Sequence, residues 1–307
     1  MPWNYSFLKR HKVHTGIASE ERIVLPPITK ERRFRKDVPY ILPKDTGEID
    51  RLDIQHHIIR TVLKGNYVAP IETPARILDV GCGTGQWAFD MCQQFPQAQV
   101  IGADLEPGKK APPDNFIFVQ ANILTSFPFD DLSFDYVHQR FLIAALPLKN
   151  WPQILNELAR ITIPGGWVEL IEGSDEITPS GPAMRRMIDI LTAFAQKRGL
   201  NTSSNVPRFL DSLLTQAGLQ NATMKTFDVP LGPWGGQIGE MMATNLYNAF
   251  SGMCTIVPAT LNIPQSQVTE TLSHLRDEWE QDRATYRYYL AYAQKSAEQP
   301  TEILHEL

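Results

Sequence analysis

Apolar residues along this chain fall into two alternating rhythms. Short runs of strand length recur near residues 77–80, 99–104, 115–120, 134–138, 167–172 and 222–229. Between them lie stretches with helical spacing, at 45–64, from 86 onward, at 151–160, 181–199 and 207–217. The clearest is 181–199, where Met184, Met187, Ile188, Leu191 and Phe194 fall on one helical face. Strand-length runs alternating with helical ones predict an α/β fold, with a mostly parallel sheet and crossover helices. The first 45 residues carry Pro26, Pro27, Pro39 and Pro43, which discourage a long helix. After residue 230 the alternation stops. Gly232, Pro233, Gly235 and Gly236 surround Trp234, and a helical pattern then runs through Met241, Met242, Leu246, Tyr247 and Phe250. Residues 270–290 read as a charged amphipathic helix with Trp279, Tyr286, Tyr288 and Tyr289. Three parts result: an arm or lid at 1–45, a core with its leading helix at 46–230, and a helical cap with a C-terminal helix at 231–307.

The first strand candidate ends in a glycine triplet. Arg76-Ile-Leu-Asp-Val-Gly-Cys-Gly-Thr-Gly85 runs into Gln86-Trp-Ala-Phe89, which opens a helix. Gly81, Gly83 and Gly85 let main chain approach a ligand where a Cβ would collide. Asp79 sets a carboxylate beside the loop. The spacing is G-x-G-x-G. A dinucleotide fingerprint wants its third glycine one residue later, where Gln86 stands. This shift favours a smaller, cationic nucleoside such as S-adenosylmethionine over a pyrophosphate. Asp104 closes the second strand 19 residues after Gly85 (104 − 85), a place from which an acid can grip ribose hydroxyls. Leu105 follows and can pack on an adenine face. Asn122 and Ile123, after the third strand, offer an adenine contact or an ordinary turn. The fourth strand leads through His138 into Gln139, Arg140 and Phe141. His138 is a candidate base, or a structural hydrogen-bonder.

These motifs resemble those of class I S-adenosylmethionine-dependent methyltransferases. The glycine loop, the Asp104 strand, Phe134-Asp-Tyr-Val-His138 and Pro164-Gly-Gly-Trp167 occur in the family's order over residues 70–175. A narrower resemblance joins Leu42-Pro-Lys-Asp-Thr-Gly-Glu-Ile-Asp-Arg-Leu-Asp-Ile-Gln-His-His57 and Val229-Pro-Leu-Gly-Pro-Trp234 to the LaeA-like methyltransferases, best known in fungi. The resemblance implies a Rossmann-like sheet finished by an antiparallel strand, with S-adenosylmethionine as methyl donor. It implies methyl transfer to a small-molecule nitrogen or oxygen nucleophile of secondary-metabolite type. Two alternatives are a donor-binding regulator of secondary metabolism and, less favoured, an NAD-dependent oxidoreductase. Asn122 departs from the Asp of many class I members. Within this frame Arg51 would pair with the donor's methionine carboxylate, with Gln55 or His56 hydrogen-bonding nearby; the other reading of this helix face is a solvated polar one. Gln139 would join the donor contacts. Residues 231–260 would roof the acceptor site or complete the core, with Trp234, Met241 and Tyr247 facing the acceptor beside Arg140, Phe141 and Asp175. Glu172, at the end of the fifth strand, would anchor an amine, and His138 and Glu172 are the candidate catalytic groups.

Composition narrows the partners. The chain has 307 residues, 43% of them hydrophobic, and a formal charge of −5. Such a balance points away from nucleic acid as the main partner. Residues 1–36 carry nine Lys/Arg against three Glu, a local +6. The run Lys30-Glu-Arg-Arg-Phe-Arg-Lys36 reads as a solvated arm, an active-site flap or a nuclear signal. Three cysteines, Cys82, Cys92 and Cys254, show neither a disulfide framework nor paired metal spacing. No apolar run approaches a membrane span and no signal peptide is visible, so the cytoplasm is the expected compartment.

Overall fold

The computed structural model describes residues 33–34, 40–125, 127–200 and 206–297. Most of the basic run at 30–36 lies outside them.

Helix α1 (Thr46–Leu63) starts where the Asp45 side chain accepts the Glu48 amide at 3.1 Å, so a free helix N–H finds a partner. Strand β1 (Arg76–Val80) feeds the glycine loop and α2 (Gln86–Gln94). Then come β2 (Gln99–Asp104), β3 (Phe116–Gln120), β4 (Phe134–Arg140), α3 (Trp151–Ile161), β5 (Thr162–Thr178), α4 (Pro182–Lys197), α5 (Leu210–Gln216) and β6 (Gln220–Pro230). Helices α6 (Gly236–Met253), α7 (Val257–Leu261) and α8 (Gln265–Gln281) precede the last strand, β7 (Thr285–Gln294). The seven strands form one sheet in the order β3-β2-β1-β4-β5-β7-β6. Strands β1–β5 pair in parallel, while β7 runs antiparallel to both neighbours.

Two sequence expectations change here. Residues 285–294 are a strand, not the end of a helix. Tyr286, Tyr288 and Leu290 alternate with Arg287, Tyr289 and Ala291, the period of a strand. The last strand therefore belongs to the sheet, and the cap consists of α6–α8 inserted between β6 and β7. The turn expected at Pro164-Gly165-Gly166 is a bulge inside β5. There Phe134 faces Thr162 and Tyr136 already faces Trp167, so extra residues loop out of the ladder.

Three buried clusters hold the fold. One joins α4, α6 and α8 to α1 through Ile58, Met184, Phe194, Met242, Leu275 and Trp279. A second packs α3 and α5 on the opposite face, through Trp151, Leu155, Leu158, Leu210 and Leu214. A third seats α2 through Trp87, Met91 and Tyr136. The parallel strands are nearly all buried, as both faces are covered. All strand ends that matter for chemistry therefore meet at one edge, roofed by α1 and the cap.

Candidate active site

The glycine loop is built to present bare main chain. Gly81, Gly83 and Gly85 all have positive φ (69°, 54° and 79°). A Cβ on Gly81 would come within 2.7 Å of Leu142, and one on Gly85 within 3.0 Å of the Phe89 ring. A Cβ on Gly83 would meet only Leu52, at 3.9 Å, so its missing side chain opens onto free space. Asp104 turns back to this loop: Oδ2 accepts the Gly83 amide at 2.8 Å, and Oδ1 accepts the Leu105 amide at 2.6 Å. Leu105 is partly buried beside it. The Asn122 Oδ1 accepts the Leu124 amide at 3.1 Å, so its side-chain oxygen serves a turn, while Ile123 packs into the second cluster.

Beneath the loop runs a chain of buried polar groups. His138 is fully enclosed, stacked on Trp87 at 3.7 Å, with Nδ1 2.9 Å from Asp79 Oδ1. Asp79 accepts Nδ1–H, which leaves Nε2 bare and without a partner among the described residues. Burial lowers the pKa of this imidazole. His138 thus does not reach a reacting group, which corrects its assignment as a base. Asp79 Oδ1 is thereby engaged by His138. Gln139 is buried, and neither polar atom of its amide has a partner among the described residues.

Arg140 lies one residue beyond the pair Val80–Gln139, level with Gly81. Its Nη2 donates to His56 Nδ1 at 2.9 Å. A guanidinium only donates, so that nitrogen must be bare and His56 must carry its proton on Nε2. Nε2 in turn donates to Asp90 at 3.0 Å. Burial, with the neighbouring Arg140 and Arg60 charges, lowers the His56 pKa against the pull of Asp90. Arg140 itself makes no ion pair among the described residues.

Arg51, expected on the donor, is engaged elsewhere. Its Nε and Nη2 donate to both oxygens of Glu48 (3.0 and 2.7 Å), and Nη1 donates to Asn245 at 3.1 Å. It ties α1 to α6, and with Gln55 it lines a cavity of about 180 Å³. This cavity lies between the tips of β5 and β7 and the helices α1, α4 and α6. Phe141, which has a positive φ of 57°, and Asp175 line it too.

Glu172 is not an acceptor anchor. It is fully buried, and its two oxygens accept the amides of Leu142 (2.9 Å) and Ile143 (3.1 Å). Burial pushes its carboxyl up to about 8, against those two amides, which pull it down. Its position holds the strained turn at Phe141. Trp234 donates through its indole to the Leu231 carbonyl at 3.0 Å and does not line the cavity. Met241 and Tyr247 are also absent from the lining. On α6 the inward stripe is Met242, Asn245, Leu246 and Ala249, one residue out of phase with the expected face. Tyr40, Tyr286 and Tyr288 complete the wall and were not anticipated.

Residues 77–166 match the model of a methyltransferase domain. Parallel β1–β5, antiparallel β7 and the loop-and-acid pair at the strand tips agree with that match. Over these residues the chain carries a methyltransferase domain. Its methyl donor is S-adenosylmethionine. Among curated proteins it is similar to methyltransferase str2 of Strobilurus tenacellus, 27% identical over 85% of this chain and 98% of that protein. It is 31% identical to methyltransferase pytC of Aspergillus terreus over 64% of this chain and 62% of that one. It is 29% identical to the secondary metabolism regulator laeA of Aspergillus fumigatus, over 70% of this chain and 59% of that protein. The chain thus spans under two thirds of the length of the latter two. Among the described residues no helix is long and apolar enough to cross a membrane.

Proposed function

We propose that this methyltransferase transfers the methyl group of S-adenosylmethionine to a small-molecule nitrogen or oxygen nucleophile seated in the cavity under the cap. The observation that carries this reading is the adjacency of the two sites. Leu52 stands over Gly83 on one side and lines the cavity on the other, as Phe141 does beside Leu142 and Gly81.

The residues present fit the donor. Open space above Gly83 matches a ligand lying on main chain, and Asp104 stands where ribose hydroxyls would be gripped. Leu105 and Ile123 would flank the adenine, with Asn122 at its edge through its amide NH₂. Arg140 replaces Arg51 as the anchor of the donor's carboxylate: it is a cation at the loop with no carboxylate of its own, oriented by His56 and Asp90. When bound, the donor supplies an electrophilic methyl, so the protein's share is alignment and exclusion of water. The roof of α1 and α6, locked by the Arg51–Glu48–Asn245 bonds, provides that exclusion.

The regulator named among the relatives favours a second reading, in which the donor is bound and the physiological output is regulatory. Isotope-labelled donor incubated with protein and cell extract separates the two. A labelled low-mass product supports the proposal. Donor binding with no labelled metabolite supports the regulator. A cytoplasmic setting is retained as part of the proposal.

A further inference from the structure

Arg140 is held by a neutral partner. Its Nη2 donates to a ring nitrogen, His56 Nδ1, at 2.9 Å, and it makes no ion pair among the described residues. Fixing so long a side chain in one rotamer costs entropy, and a set acceptor offsets that cost. A carboxylate in the place of His56 would supply an acceptor. It would also cancel the charge and compete with an incoming anion. An imidazole bare at Nδ1 supplies the acceptor and leaves the charge free.

The imidazole is itself fixed. His56 lies buried on α1, with Nε2 3.0 Å from Asp90 Oδ2 on α2. The same oxygen is 3.1 Å from Arg60 Nη1, and Gln86 donates to the other oxygen at 3.4 Å. The charge of Asp90 is therefore met by Arg60, about one turn along α1, and not by Arg140. Asp90 keeps the proton on Nε2, and so keeps the Nδ1 lone pair toward β4.

The charged groups facing the ring are Arg140 from β4, Asp90 from α2 and Arg60 from α1 itself. His138 of β4 stands behind, bonded to Asp79 of β1. A second proton on His56 would go to Nδ1. It would set N–H against N–H and cation against cation, so Arg140 would have to leave the ring. Burial and the two arginines already disfavour that proton.

We infer that His56 is a positioning residue for the methyl donor. As the uncharged Nε2–H tautomer fixed by Asp90 it aims Arg140 at the donor's carboxylate without neutralising it, and when protonated it releases Arg140. The inference rests on the proposed role of Arg140 as the anchor of that carboxylate. Its consequence is that recognition of the amino-acid tail is lost in acid while recognition of the nucleoside is kept.

The test is calorimetric titration of the full chain with S-adenosylhomocysteine and with 5′-methylthioadenosine, which lacks the carboxylate, from about pH 7 to about pH 5. Neither ligand titrates in that range. The preference for S-adenosylhomocysteine is expected to fall at least about threefold, with affinity for 5′-methylthioadenosine steady within about twofold. His56→Asn and His56→Asp are alike in size and differ by one charge. At about pH 7 the Asn variant should keep the preference within about threefold, and it should show no fall in acid. The Asp variant should lose about tenfold or more of it, the scale of one hydrogen bond to a charged group. Arg140→Met should show no dependence of the preference on pH. A merely structural role for His56 would move both variants and both ligands alike, and that result would overturn the inference. So would a preference in the unaltered protein that stays flat down to about pH 5, a result that needs no variant to fold, or one that still falls in acid in Arg140→Met. Failure of the unaltered protein to bind either ligand would bring down the functional proposal itself, and this inference with it.

Discussion

Replacing Arg140 by Met isolates one interaction with the donor. Arg140 donates to His56 and makes no ion pair among the described residues, so its charge is available to a ligand beside Gly81. A hydrogen bond to a charged group contributes about 1.5–3 kcal/mol, or roughly 10- to 150-fold in affinity. The assay is calorimetric titration with two ligands. S-adenosylhomocysteine carries the amino-acid tail, and 5′-methylthioadenosine lacks its carboxylate. The unaltered protein should prefer the first by at least that factor. In Arg140→Met the preference should collapse, while affinity for 5′-methylthioadenosine stays within about twofold, a shift of some 0.4 kcal/mol. The conservative Arg140→Lys should fall between, because an ammonium cannot form the planar fork. Full preference retained in Arg140→Met would refute the anchor. Loss of preference in Arg51→Met, with Arg140→Met unaffected, would restore Arg51 to that role.

Other expectations follow from the same geometry. Gly83→Val should abolish donor binding while the protein stays folded, because the added side chain fills ligand space and meets only Leu52; native circular dichroism with no calorimetric signal is the predicted pair of results. Glu172→Gln should cost about 1–3 kcal/mol, read as a lower urea midpoint, since one of two buried amides then faces an NH₂ group. His56 and His138 both have folded pKa values below 6.5. The unfolded chain therefore binds more protons below 6.5, so their stabilising share is complete above that pH and is lost as pH falls through the folded values. Urea midpoints between pH 7.5 and 5.5 should fall, and fall less in His56→Gln.

The glycine loop and the Asp104 strand were legible in the sequence because local rules govern them. A glycine triplet after an apolar run, with an acid at the next strand's end, fixes a strand, a turn and a charge by spacing alone. The wall of the cavity was not, and β7 shows why. The chain leaves α8 through Asp282 and Arg283, the latter at a φ of 49°, with neither glycine nor proline to mark the break. Read as helix, Tyr286 and Tyr288 became a mixed cluster; as strand they are one face, and that face lines the cavity. Phase caused the second loss. Met241 and Tyr247 sit beside the true stripe of α6, and nothing in that sequence says which side meets α1 until Asn245 bonds Arg51. His138 and Glu172 misled for a third reason: a strand-end acid or imidazole looks catalytic, yet burial and bonds to Asp79 or to two amides make both structural.

The central claim is that main chain from Gly81 to Gly85 and the Asp104 carboxylate form the donor's seat. A crystal structure of the protein with S-adenosylhomocysteine tests it most directly. The account predicts both ribose hydroxyls within hydrogen-bond distance of Asp104, the ligand lying over Gly83, and its carboxylate on Arg140. A ligand bound elsewhere, or a crevice filled by the protein's own side chains, would contradict it.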